Sequence, residues 1–62
     1  MNSIKEVLMR RDEMSEGAAE ELIDEARADL SERLAEGEMP LEICREWFGL
    51  EEDYIMDLMG MI

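Results

Sequence analysis

Residues 15–37, SEGAAEELIDEARADLSERLAEG, restrict the fold more than any other stretch of this chain. Ala19, Leu22, Ile23, Ala26, Leu30 and Leu34 recur there at three and four residues. At about 100° per residue they gather into one apolar stripe, the pattern of an amphipathic helix and not of a strand. Ser15 suits the N-terminal cap, because its hydroxyl can accept from an unpaired N–H of the first turn. Glu16 complements the positive end of the helix dipole. Gly37 suits the stop, because it tolerates the left-handed backbone that ends many helices. Arg33 falls near the edge of the stripe, where its stem can cover apolar surface while its head stays in water.

The flanking sequence reads as shorter helices. Ser3 and Glu6 have the spacing of a capping box. Ile4, Val7, Leu8 and Met9 follow as a short apolar stripe. Arg10 and Arg11 complement the dipole of the last turn, and Asp12 and Glu13 make a turn. Pro40 suits the first position of a third helix, where its missing N–H costs nothing. That helix is predicted to run to Phe48, with Leu41, Cys44, Trp47 and Phe48 buried and Gly49 as its stop. Leu50 and Ile55 have the spacing of a hydrophobic staple around a cap at Glu51. The acids Glu51, Glu52 and Asp53 would then sit at the positive end of a fourth helix, with Tyr54, Ile55, Leu58, Met59 and Ile62 on one face. Gly60 weakens its last turn. No strand pattern or internal repeat occurs. The expected fold is all-α: one domain over 1–62, a small bundle of three to four helices around one long central amphipathic helix. Trp47 and Phe48, the two neighbouring bulky aromatics, are expected to anchor its centre.

A chain of 62 residues buries only about 60% of its unfolded surface, so its core is marginal. Domains this small rely on disulfides, a metal, regular helix packing or a partner. Cys44 is the only cysteine and there is no histidine, which excludes an internal disulfide and a zinc site. Regular packing, a second copy or a target protein remain. Disorder is not expected, because 47% of the residues are apolar and they are periodic. An unpaired cysteine fits a reducing compartment. The N-terminal residues lack a basic region followed by a long apolar run. The cytoplasm is therefore the expected compartment. No apolar run approaches the length of a membrane span.

Eighteen acids face six bases, for a net charge of −12. Such a field repels nucleic acid and anionic membrane and attracts basic surfaces. Catalytic parts are missing: no histidine, no nucleophile elbow, no glycine-rich phosphate loop and no paired cysteines. Of the three serines Ser3, Ser15 and Ser31, two read as caps. No enzyme and no cofactor are expected. Glu42 and Glu46 oppose thiolate formation at Cys44, which reads as a small buried apolar residue. Residues 49–57, GLEEDYIMD, lack the alternating acids of a calcium loop, so no metal is expected.

Two surfaces stand out. Glu21, Glu25, Asp29, Glu32 and Glu36 follow one another at four, four, three and four residues. They would form an acidic edge about 22 Å long, at 1.5 Å per residue. Neighbours lie about 5–6 Å apart and repel by about 0.2–0.5 kcal/mol per pair. Such a ladder resembles the charge repeat of a nucleic-acid backbone. The second surface is the methionine-rich end. Tyr54, Met56, Leu58, Met59 and Met61 are too many large side chains for one short helix to bury, and methionine-rich surfaces recur at protein-binding sites.

The ladder points to a basic, nucleic-acid-binding protein as partner, whose groove this chain would occupy. The alternative is a helical homodimer, higher oligomer or adaptor working through the methionine-rich helix. Direct nucleic-acid binding is not expected, because the third helix offers only Arg45 against Glu42 and Glu46. In its stretches IKEVLMRRDEMSEGAAEELIDEARADL and EWFGLEEDY, the chain resembles the short, acidic, all-helical proteins of phages and mobile elements. That type includes anti-CRISPR proteins and other inhibitors of host defence, several of which imitate DNA. The resemblance implies inhibition by charge mimicry.

Overall fold

The computed structural model describes residues 3–60, which form four helices and, among those residues, no strand. They are α1 (Ile4–Arg11), α2 (Glu16–Ala35), α3 (Ile43–Phe48) and α4 (Ile55–Leu58), the last entered through a 3-10 turn at Glu52–Tyr54. The 20 residues of α2 span about 30 Å. The molecule measures 34 × 20 × 20 Å, so α2 sets its long axis and the other helices pack along it.

Local chemistry accounts for where the helices begin. Ser3 Oγ accepts from the Glu6 N–H at 3.2 Å, and Ser15 Oγ accepts from the Ala18 N–H at 3.2 Å. Each hydroxyl satisfies a donor that the helix cannot. The start of α1 has a second acceptor: the Ile4 N–H donates to Asp57 Oδ2 at 2.8 Å. Asp57 belongs to α4, so this carboxylate also ties the two ends of the chain together.

The C-terminal ends of α2, α3 and α4 are closed by glycine or by arginine. At Gly37 (φ 84°) the backbone turns left-handed, and the Gly37 and Glu38 N–H groups donate to Leu34 O and Arg33 O at 3.0 Å each. Gly49 (φ 68°) ends α3 in the same conformation. Arg11 Nη2 donates to Phe48 O at the end of α3. Arg27 Nε donates to Leu58 O at 2.6 Å at the end of α4. A guanidinium at the negative end of a helix satisfies orphan carbonyls and complements the dipole.

The core takes Ile4 and Leu8 from α1, Ala19, Ile23, Ala26 and Leu30 from α2, Ile43, Cys44 and Phe48 from α3, and Ile55 and Leu58 from α4. Met14, Leu22, Trp47, Leu50 and Tyr54 pack partly buried around it. The small side chains of Ala19 and Ala26 let neighbours approach α2 closely. Phe48 occupies the centre as expected, whereas Trp47 lies at its margin.

Three expectations are corrected. The third helix does not begin at Pro40. Pro40 is buried in a turn in which the Ile43 N–H donates to Pro40 O at 3.2 Å, so the helical frame starts at Ile43. That shift puts Ile43 in the core and leaves Leu41 exposed. Leu34, on the apolar stripe of α2, is also exposed, on the rim of a groove beside Leu58 and Met59 of the α4 end. The fourth helix ends at Leu58, with Gly60 (φ 74°) turning the chain after it. Ile62 and Met61 lie outside the described residues.

Candidate functional site

On α2 the buried residues Ala19, Ile23, Ala26 and Leu30 occupy an arc of about 60°, at 100° per residue. Glu21, Glu25 and Glu32, continued by Glu36 at the C-cap, occupy a second arc of similar width, centred about 140° away. All four are exposed. Among the described residues, none of the four forms an ion pair. They are the free back of the helix.

Asp29, the middle rung of the expected ladder, is different. It falls on the flank of α2 that faces α3. Its Oδ2 accepts from Trp47 Nε1 at 3.0 Å and lies 3.1 Å from Arg33 Nη2. Arg33 in turn reaches Glu46 Oε2 at 2.9 Å. Asp29 thus works inside the protein and divides the acidic face into Glu21 with Glu25 and Glu32 with Glu36.

The few bases are mostly occupied. Lys5 Nζ sits between Glu16 Oε2 at 3.0 Å and Glu20 Oε1 at 3.1 Å, which joins α1 to α2. Its hydrogen bonds to Glu16, then Glu20, hold the Lys5 ammonium above its ordinary pKa. Arg11 forks onto Asp12, at 3.0 Å from Nε to Oδ1 and 2.9 Å from Nη2 to Oδ2, which lowers the Asp12 carboxyl. Arg33 is ion-paired as above, Arg27 is spent on the backbone carbonyls of α4, and Arg10, Arg27 and Arg45 form no ion pair among the described residues. The internal pairs leave Glu6, Glu13, Asp24, Glu38, Glu42, Glu51, Glu52 and Asp53 without an ion pair alongside Glu21, Glu25, Glu32 and Glu36, while Asp57 meets only the Ile4 N–H.

The methionine-rich end divides as well. Leu58 is fully buried and belongs to the core, not to an exposed interface. Tyr54 is partly buried. Met56 and Met59 are exposed; Met61 lies outside the described residues. Two grooves border α4. One, of about 240 Å³, runs between Arg27, Leu30, Ser31, Leu34, Leu58 and Met59. The other, of about 410 Å³, lies between Leu41, Glu52, Asp53, Ile55 and Met56. Sequence reasoning missed Leu41, because it was placed in the helical frame that begins only at Ile43. Pro40 and its turn were the available signal.

A polar groove of about 470 Å³ runs past Ser3, Lys5, Glu20, Ile23, Asp24, Arg27 and Asp57, but Lys5, Glu20, Arg27 and Asp57 there are held in internal contacts. Cys44 is buried, and burial first, then the charge of Asp57, pushes its thiol pKa up. Its nucleophilic thiolate is therefore disfavoured. Among the described residues no group of three or more His, Cys, Asp and Glu side chains converges as a metal site, and no helix is long and apolar enough to cross a membrane.

No protein family model, curated protein or solved structure matches the chain.

Proposed function

We propose that this chain is a non-catalytic interaction protein that occupies the basic nucleic-acid-binding groove of a partner protein and blocks it. One observation carries the reading: Glu21, Glu25, Glu32 and, at its C-cap, Glu36 share the unpacked face of the longest helix, without ion-pair partners among the described residues. Repulsion along this face works against the helix by about 0.2–0.5 kcal/mol per adjacent pair. A basic groove would relieve that repulsion and gain from the surplus negative field. A rigid helix also presents the charges already ordered, which lowers the entropic cost of binding. Inhibition of a host nucleic-acid-targeting defence is the biological setting proposed for such a mimic. The reducing cytoplasm suits its free, buried Cys44.

The test is capture of nucleic-acid-binding proteins from nuclease-treated extract, followed by competition with duplex DNA for the captured protein. Reversal of Glu21, Glu25 and Glu32 to Lys should abolish capture while circular dichroism shows the helix content unchanged. Equal capture by the reversed variant, or a captured protein that DNA does not displace, refutes the reading. A second reading, self-assembly through α4, rests on the exposure of Met56 and Met59. It requires a dimer in sedimentation at both low and high salt that Met59→Glu dissociates.

A further inference from the structure

The groove between the turn before α3 and the start of α4 combines two features found apart elsewhere on the surface. Its walls are Leu41, 45% exposed, and Met56, 48% exposed, and its floor is Ile55. Its rim carries Glu52 and Asp53 side by side on the 3-10 turn, both exposed and, among the described residues, without an ion pair. Two large apolar side chains held half in water around a concavity leave apolar area uncovered in a domain where it is scarce. Methionine is unbranched and polarizable, so Met56 can shape itself to an incoming side chain.

We propose that this groove captures a basic amphipathic helix of another protein, with one apolar side chain inserted between Leu41 and Met56 and flanking Lys or Arg residues paired with Glu52 and Asp53. Charge selects this occupant over the others. A second copy would bring Glu52, Asp53 and a net charge of −12 against the same charges. An anionic lipid surface would meet the same repulsion. A basic helix meets attraction at the rim and burial at the floor, the usual division between polar rim and apolar centre of an interface. The proposal is independent of the acidic face of α2, since none of the groove residues lies on that helix.

The probe is a short fluorescein-labelled peptide of Leu and Lys at helical amphipathic spacing, compared with a peptide of equal charge whose Leu residues are replaced by Gln. Anisotropy is read with the full chain at about 0.15 M salt, where long-range attraction is screened. The amphipathic peptide should bind about tenfold or more tightly than its control, a difference of about 1.4 kcal/mol. Leu41→Ser with Met56→Ser should abolish that preference, and Glu52→Lys with Asp53→Lys should weaken both peptides. Lysine reversal at Glu21, Glu25 and Glu32 should leave the preference intact. If the double serine variant folds poorly, Met56→Lys alone should remove the preference. Equal binding of the two peptides overturns the proposal, as does a preference that survives Leu41→Ser with Met56→Ser. So does a dimer in sedimentation that those serine substitutions dissociate, since the groove would then belong to a second copy.

Discussion

Trp47 Nε1 donates to Asp29 Oδ2 at 3.0 Å, across 18 residues of sequence. This bond takes a carboxylate out of a regular row of acids and turns it into a joint between α2 and α3. The indole is partly buried, so its N–H needs a partner within the protein. Arg33, 3.1 Å from the same carboxylate, neutralises it.

Asp29→Ala should therefore destabilise the fold by about 1–2 kcal/mol, the cost of a partly buried donor left unpaired. In a domain of this size, each kcal/mol corresponds to a fall of roughly 4–8 °C in Tm. Asp29→Asn keeps an acceptor and should cost less. Thermal denaturation gives the stabilities, and a red shift of Trp47 emission should accompany the alanine variant alone. Equal stability of the alanine variant and the parent would show that the bond contributes nothing.

The free acids of α2 make the opposite prediction. Glu25→Gln removes repulsion with Glu21 and should raise stability by about 0.2–0.5 kcal/mol at low salt. The gain should vanish near 1 M salt, where the Debye length falls to about 3 Å. Paired melting curves at the two salts decide it; a gain that persists at high salt contradicts an electrostatic origin.

Glu13 lies in the left-handed region at φ 54°, between α1 and α2. A residue with a Cβ pays about 1–2 kcal/mol there. Glycine avoids that strain but gains more freedom in the unfolded chain, worth about 0.4–1 kcal/mol in the other direction. Glu13→Gly should leave a net stabilisation of about 0.5–1 kcal/mol by urea unfolding. A lower urea midpoint for this variant would contradict strain at that position.

Asp57 caps α1 from 53 residues away. Asp57→Ala should cost about 1–2 kcal/mol, because the Ile4 N–H loses a charge-assisted acceptor. Ser3→Ala removes a local cap and should cost about 1 kcal/mol. Hydrogen exchange distinguishes them: the Asp57 variant should loosen both α1 and α4, the Ser3 variant α1 only.

Stability should decline at alkaline pH. Both Lys5, held up chiefly by its hydrogen bond to Glu16, and Cys44, held up chiefly by burial, have folded values above their ordinary 10.5 and 9.0. Groups raised in this way contribute fully below the ordinary value and lose their contribution as pH rises through the folded one. Asp12, lowered by Arg11, works in the acid direction: its contribution is present above its ordinary 3.8 and lost as pH falls through the folded value. Lys5→Met should flatten the alkaline decline in a Tm–pH profile. A thiol reagent at pH 8 should react with Cys44 only as fast as the protein opens.

Much of the architecture was legible in the residues because it is decided locally. The periodic stripe of Ala19, Ile23, Ala26 and Leu30, the caps Ser3 and Ser15 and the stops Gly37 and Gly49 all act within a turn or two of themselves. The short helices were less legible. The frame of α3 depends on the turn made by Pro40, and a slip of a few residues exchanges Leu41 for Ile43 in the core. The α4 segment, with one helical turn, depends on contacts from α1 and α2.

Residue order alone thus settles the helical class, the span of α2 and the acidic balance, since these follow from periodicity, capping and charge. Tertiary docking decides the rest. It places Asp29 against Trp47, Asp57 at the start of α1, Arg27 at the end of α4, and Leu41 beside Met56. Each of these pairs is distant in sequence, so its formation depends on how the helices close on one core, and only that closure separates acids engaged inside the fold from acids left facing outward.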